Sequence, residues 1–113
     1  MNKLNIAIAD DNERMLDLLG NIIHQDKELE LVGQAENGKD MYEIIRNKEP
    51  DVVLLDIFMP KMDGLTVMEK VNTDKTLKKR PAFIVVSAVG QERITEDAFN
   101  LGAYYYILKP FDN

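Results

Sequence analysis

A chain of 113 residues has room for one domain at roughly 100–200 residues apiece, and its 45% hydrophobic and 30% charged residues are those of a chain that folds around a core. The absence of cysteine excludes a disulfide framework and any thiolate metal site, and is in keeping with a reducing compartment. Fourteen basic against 20 acidic residues, with His24 neutral, leave a net charge of −6, which argues against a chain that grips a phosphate backbone by itself.

No apolar run approaches the roughly 18 residues of a membrane span. Met1-Asn2-Lys3 leads straight into a strand-like segment, so neither a signal peptide nor a transmembrane helix is expected, and the expected location is the cytoplasm. Leu4–Ala9 is a short apolar run ending in Asp10-Asp11-Asn12, the pattern of a buried strand followed by a helix start at which Asn12 serves as the cap. Met15, Leu18, Leu19, Ile22 and Ile23 recur at spacings of three and four, predicting an amphipathic helix over about 13–25. Leu29–Ala35 is a second strand. Asn37-Gly38 punctuates, and Met41, Ile44 and Ile45 mark a helix that stops before Pro50.

Val52-Val53-Leu54-Leu55 is a third strand, ending at Asp56; after a loop through Met59-Pro60 and Asp63-Gly64, a helix carries Leu65, Met68 and Val71. Met59 and Met62 read as gap-fillers of the core. Lys78-Lys79-Arg80-Pro81 reads as a solvated connector. Phe83–Val86 is a fourth strand closed by Ser87, a helix over about 91–101 ends at Gly102, and Tyr104–Leu108 is a fifth strand before Lys109-Pro110. Alternating strands and helices with continuous apolar strands predict a parallel sheet covered on both faces, a doubly wound α/β domain spanning 1–113.

In such sheets ligands bind outside the carboxyl ends of the strands. Asp10 and Asp11 end the first strand, Asp56 the third and Ser87 the fourth, and Lys109 follows the fifth. Taken singly, an acid at a strand end is an ordinary helix cap or turn residue; three carboxylates and an ammonium drawn to one edge are not. Mg²⁺ takes one or two carboxylates, keeps several waters and welcomes a phosphate oxygen. A carboxylate is also a nucleophile that forms an acyl phosphate. Three carboxylates, one Mg²⁺ and the Lys109 ammonium sum to zero charge, and the Ser87 hydroxyl supplies a donor for a phosphoryl oxygen.

The Asp10-Asp11 pair, the run Val53-Leu54-Leu55-Asp56-Ile57-Phe58-Met59-Pro60-Lys61-Met62-Asp63-Gly64, Val85-Val86-Ser87-Ala88 and Lys109-Pro110-Phe111 together resemble the receiver domain of bacterial two-component response regulators. Within that family, Ile8-Ala9-Asp10-Asp11-Asn12, Val89-Gly90-Gln91-Glu92 and Ile107-Leu108-Lys109-Pro110-Phe111-Asp112 look most like receivers of the sporulation regulators of endospore-forming bacteria. The resemblance implies a flavodoxin-like fold of five parallel strands in the order 2-1-3-4-5. It implies Asp56 as phosphoacceptor, and Mg²⁺, with Mn²⁺ or Ca²⁺ as substitutes, held by Asp11 directly, by Asp10 partly through water, by Asp56 and by the backbone carbonyl of Phe58. Lys109 would pair with the phosphoryl group, while Ser87 and Tyr106 would form a switch pair. The implied partner is a histidine kinase or histidine phosphotransfer protein, because His24 lacks companions here; DNA would be reached only through a following domain.

The resemblance also implies a final helix beyond Lys109-Pro110 that this chain lacks, so a fragment of a longer regulator is expected, with an uncovered apolar patch over the first helix and fifth strand. A dimer through the fourth helix and fifth strand is expected on phosphorylation. Phe58 and Val89 flank the expected site with apolar bulk that would hinder water and prolong an acyl phosphate. A signalling domain rather than an enzyme is therefore expected, with a stand-alone phosphoryl shuttle or interaction module as the alternative. An aspartyl phosphatase of the haloacid-dehalogenase type needs an Asp-x-Asp pair and a substrate cap, and a flavin carrier needs a phosphate-cradling loop where Asp10-Asp11 would repel it.

Overall fold

The computed structural model describes residues 3–87 and 92–108. Along the chain run β1 (Leu4–Ala9), α1 (Glu13–His24), β2 (Leu29–Ala35), α2 (Gly38–Lys48), β3 (Val52–Asp56), α3 (Gly64–Thr73), β4 (Ala82–Ser87), α4 (Glu92–Asn100) and β5 (Tyr105–Leu108). The sheet is parallel throughout, in the order β2-β1-β3-β4-β5. This is the doubly wound, flavodoxin-like arrangement, and every expected element is present within a residue or two of its sequence boundaries.

The two-residue period of the strands explains why both faces of the sheet are covered. Ile6 and Ile8 of β1 pack under α1 with Leu16 and Ile23. Ala7 and Ala9, one step out of phase, face the larger core, where Met41 and Ile45 of α2, Met68 of α3 and Ala98 of α4 meet Leu55 and Val85. Met59 is buried and Met62 packs against the same cluster, so both fill gaps as expected. Leu18 and Ile22 of α1 and Ile107 of β5 are exposed. No helix among the described residues is long and apolar enough to cross a membrane.

The helix ends follow the sequence closely. Asn12 caps α1 by accepting the N–H groups of Arg14 and Met15 at 2.9 and 3.3 Å. Asp63 does the same for α3, accepting from Thr66 N–H at 2.8 Å. At the end of α4, Gly102 takes a φ of 105°, with its N–H on Phe99 and that of Ala103 on Ala98, the paired closure that only a residue without Cβ adopts cheaply.

Lys78, Lys79 and Arg80 are exposed, as expected of a solvated connector, and two of them also anchor it: Lys79 pairs with Asp51, and Arg80 donates from Nε to the Val71 carbonyl at 3.1 Å and from Nη2 to that of Asp74 at 3.0 Å, binding the connector to the end of α3. One boundary differs from expectation: Tyr104 precedes β5 instead of opening it and is 72% exposed. The bond from its N–H to the Phe83 carbonyl at 2.9 Å ties only the backbone down.

Candidate functional site

The site is assembled by strand register. Ala9 and Leu55 are opposite one another in the β1–β3 ladder, so the next residues, Asp10 and Asp56, emerge side by side at the carboxyl edge. Asp10 continues the other ladder of β1, its N–H donating to the Ala35 carbonyl at 3.0 Å. Its Oδ1 then accepts the Asn12 N–H at 2.9 Å, a tight side-chain turn that swings the chain into α1 and leaves Asp11 at the surface. Asp10 and Asp56 are only 1% and 3% exposed, against an exposed Asp11.

Carboxylate oxygens of Asp10, Asp11 and Asp56 all lie within 4.8 Å of one another. Octahedral Mg²⁺ with oxygens at about 2.1 Å spans about 3.0 Å between adjacent ligands and about 4.2 Å between opposite ones. The cluster therefore matches one hard cation bound directly by two of these acids, with the third close enough to act directly or through a water. All the donors are oxygens, which suits Mg²⁺, Mn²⁺ or Ca²⁺ rather than a thiophilic metal. Glu13, Asp17 and Glu36 border a recess of about 150 Å³ between α1 and the end of β2, on the same edge. Their charge deepens a field that attracts cations.

The loop after Asp56 is tightly made. Gly64 N–H returns to the Ile57 carbonyl at 2.7 Å, and a Cβ on Gly64 would lie 2.6 Å from the Asp56 carbonyl oxygen, so only glycine lets α3 begin this close to β3. Between them, Met62 N–H donates to the Pro60 carbonyl at 2.7 Å across Lys61, whose φ is 67°. That is a three-residue turn with a left-handed lysine at its centre, a strained conformation of the kind found beside functional sites. Phe58 rides on this loop and is 48% exposed.

Val86 is opposite Asp56 in the β3–β4 ladder, which puts Ser87 one step further along the same edge. Tyr106 pairs with Val85, two positions behind Ser87, in the neighbouring strand. Lys109 and Val89 lie outside the described residues, as do the side chains of Ser87 and Tyr106. Three of the expected acids are thus brought together, and the backbone of the expected switch pair stands on the adjoining strands.

Sequence reasoning missed the residues that brace the opposite edge. Asp51 accepts the Asn5 N–H at 2.7 Å and pairs with Lys79, and both contacts hold its carboxyl below the usual range. Tyr42 of α2 donates its hydroxyl to Asp74 at the end of α3, and Lys70 lies over the Tyr42 ring, 5.4 Å from its centroid. Nothing in the local pattern announces such pairs, because they join segments 28 to 46 residues apart.

The model of the response regulator receiver domain family matches residues 6–113. Among solved structures, the response regulator domain of Thermotoga maritima CheB is 28% identical, covering 96% of this chain and 80% of its own, with a TM-score of 0.86. A chain of the CheX–CheY–BeF₃–Mg²⁺ complex from Borrelia burgdorferi is 31% identical over 98% of this chain and 81% of its own, with a TM-score of 0.82. A DNA-binding response regulator of the LuxR family from Staphylococcus aureus is 28% identical over 96% and 88%, with a TM-score of 0.84. With the fold, the acid cluster and these matches in agreement, the chain belongs to the response regulator receiver domain family.

Proposed function

We propose that Asp56 accepts a phosphoryl group from a phosphohistidine of a histidine kinase or histidine phosphotransfer protein. The observation that carries this reading is the buried Asp56 within 4.8 Å of Asp10 and Asp11 at the sheet edge. An Asp56 carboxylate oxygen attacks phosphorus, the phosphorus–nitrogen bond to the donor imidazole breaks, and the imidazole leaves with the electron pair and takes up a proton. Asp10, Asp11 and the Phe58 carbonyl would hold a Mg²⁺ ion, which would supply positive charge to offset that on the oxygens of the transferring group. That the Borrelia burgdorferi complex was solved with BeF₃ and Mg²⁺ supports this reading.

The acyl phosphate carries about −1.5 to −2 charges in place of −1. Lys109 and the Ser87 hydroxyl answer that charge, and Tyr106 follows Ser87 inward. Moving a population from 1:99 to 99:1 takes about 5.5 kcal/mol, within reach of several charge-assisted hydrogen bonds. The reader we assign to the phosphorylated state is a second copy of the chain at the α4–β5 face, where Phe99 and Tyr104 are exposed. The output we assign is transcription through a DNA-binding domain, as the Staphylococcus aureus relative's description supports, with sporulation as its programme on the motif resemblance. Phe58 and Val89 shield the acyl phosphate from water and make it long-lived.

Intact mass after incubation with acetyl phosphate tests the central claim. A gain of one phosphoryl mass that needs Mg²⁺ and disappears in Asp56→Ala is the expected result. No gain, or a gain that survives Asp56→Ala, overturns the reading. Hydrolysis of the adduct within seconds would remove the shielding role from Phe58 and Val89.

A further inference from the structure

Gly38 is the first residue of α2, eighteen positions before Asp56 and on a different segment, yet it touches the loop that leaves Asp56. A Cβ built on Gly38 would lie 1.9 Å from the Met62 carbonyl oxygen, 2.6 Å from its carbonyl carbon and 2.9 Å from its Cβ. Two of these three atoms are backbone, so no side-chain rotation relieves the overlap. Helix propensity would favour almost any other residue at this place. Glycine here answers the approach of the loop.

Both partners in the contact are held rigidly. On one side, Asn37 is buried and caps α2, accepting the Asp40 N–H at 2.8 Å and donating Nδ2 to the Asp40 carboxylate at 2.9 Å. On the other, Met62 closes the turn over Lys61, and Gly64 fastens the end of the loop to Ile57. The segment between Asp56 and α3 is thus clamped twice, at Gly64 against the β3 backbone and at Gly38 against the α2 N-terminus. Phe58, whose carbonyl the proposed function uses as a cation ligand, sits between Asp56 and that second clamp.

We infer that Gly38 is a positioning residue for the phosphoacceptor site, holding the 57–63 loop in the conformation that presents the Phe58 carbonyl to the cation. The inference rests on the phosphoacceptor reading above. Supports of a metal's ligands typically carry about 10- to 100-fold in affinity. Gly38→Ala should push Met62 away and weaken Mg²⁺ binding to the folded domain by about 10-fold or more, with a matching loss in the rate of phosphoryl uptake at low Mg²⁺. At saturating Mg²⁺ most of the rate should return, which a general loosening of the fold would not produce.

The test measures Mg²⁺ affinity by amide chemical-shift titration and phosphoryl uptake from acetyl phosphate, in the unchanged chain, Gly38→Ala and Gly33→Ala. In Gly33→Ala the atoms nearest the new Cβ all belong to the Ile44 side chain, the first at 2.9 Å, so the change disturbs the seat of α2 rather than the loop. Weakened Mg²⁺ binding in Gly38→Ala alone is the expected result. A folded Gly38→Ala that binds Mg²⁺ as tightly as the unchanged chain, or an equal loss in Gly33→Ala, overturns the inference. If Gly38→Ala does not fold, the unchanged chain decides: the Gly38 amide should shift with the same Mg²⁺ dependence as Lys61 and Met62, and a stationary Gly38 amide overturns it. Failure of the unchanged chain to take up phosphoryl at Asp56 would instead overturn the proposed function.

Discussion

The two edges of the sheet use the same residue type in opposite ways. At the carboxyl edge, Asp10, Asp11 and Asp56 are gathered within 4.8 Å of one another. At the amino edge each acid has its own donors: Asp51 has Lys79 and the Asn5 N–H, and Asp74 has the hydroxyls of Tyr42 and Thr76 and the Thr76 N–H. Acids that brace a fold are spread out and satisfied from within the chain. Acids clustered together repel, and a divalent cation held between them would offset that repulsion.

The largest effect that separates the two edges is cation linkage. Mg²⁺ at a hundred times its Kd should stabilise the domain by about 2.7 kcal/mol. Chemical denaturation with and without Mg²⁺ should show this gain collapsing in Asp11→Asn and persisting in Asp51→Ala and Asp74→Asn. If substitutions at both edges abolished the gain equally, the contrast between them would be lost. Without divalent ions the order should invert. Asp56→Asn removes one of three mutually repelling charges and should raise stability by about 1 kcal/mol or more, whereas Asp51→Ala strands the Asn5 amide and should lower it by about 1 kcal/mol.

Legibility in the sequence divides along the same line. The acid cluster could be read because each member ends an apolar run, and parallel topology carries all strand ends to one edge; Asp10 and Asp56 needed no knowledge of side-chain packing. The helix caps Asn12 and Gly102 were equally local. The amino edge was opaque for the opposite reason. Lys79 looked like any solvated lysine, and its pairing with Asp51 depends on how the 74–81 connector is folded back, which no periodicity encodes. Gly38 was legible as punctuation but not as a contact, because its neighbour Met62 comes from another crossover unit.

Lys61 lies between these extremes, since Pro60 and Gly64 mark a turn but do not reveal a positive φ at the lysine. Lys61→Gly should relieve a left-handed backbone and raise stability by about 1 kcal/mol, less whatever the extra freedom of glycine costs in the unfolded chain. The same change should loosen the loop next to Asp56 and weaken Mg²⁺ binding, so a variant that gains on both counts would contradict the view of this turn as strain kept for the site.

The smallest effect tests whether the amino edge is as self-contained as it looks. Donors from Thr76 and Tyr42 hold the Asp74 carboxyl down at about 2, below its ordinary 3.8. The hydrogen bond to Asp74 in turn raises the Tyr42 hydroxyl above its ordinary 10. A carboxyl with a depressed folded value contributes stability above its unfolded value and loses that contribution as the pH falls toward 2. A phenol with a raised folded value contributes below its unfolded value and loses it as the pH rises through the folded one. The pair should therefore act fully from about pH 5 to about pH 9 and fade on either side. Both groups are solvated, so Tyr42→Phe should lower stability only slightly in that window. Urea midpoints of the two proteins should differ by a constant amount across the plateau and converge at both ends. The difference should be indifferent to Mg²⁺; a dependence on the cation would mean that α2 and α3 transmit binding at the carboxyl edge to their far ends.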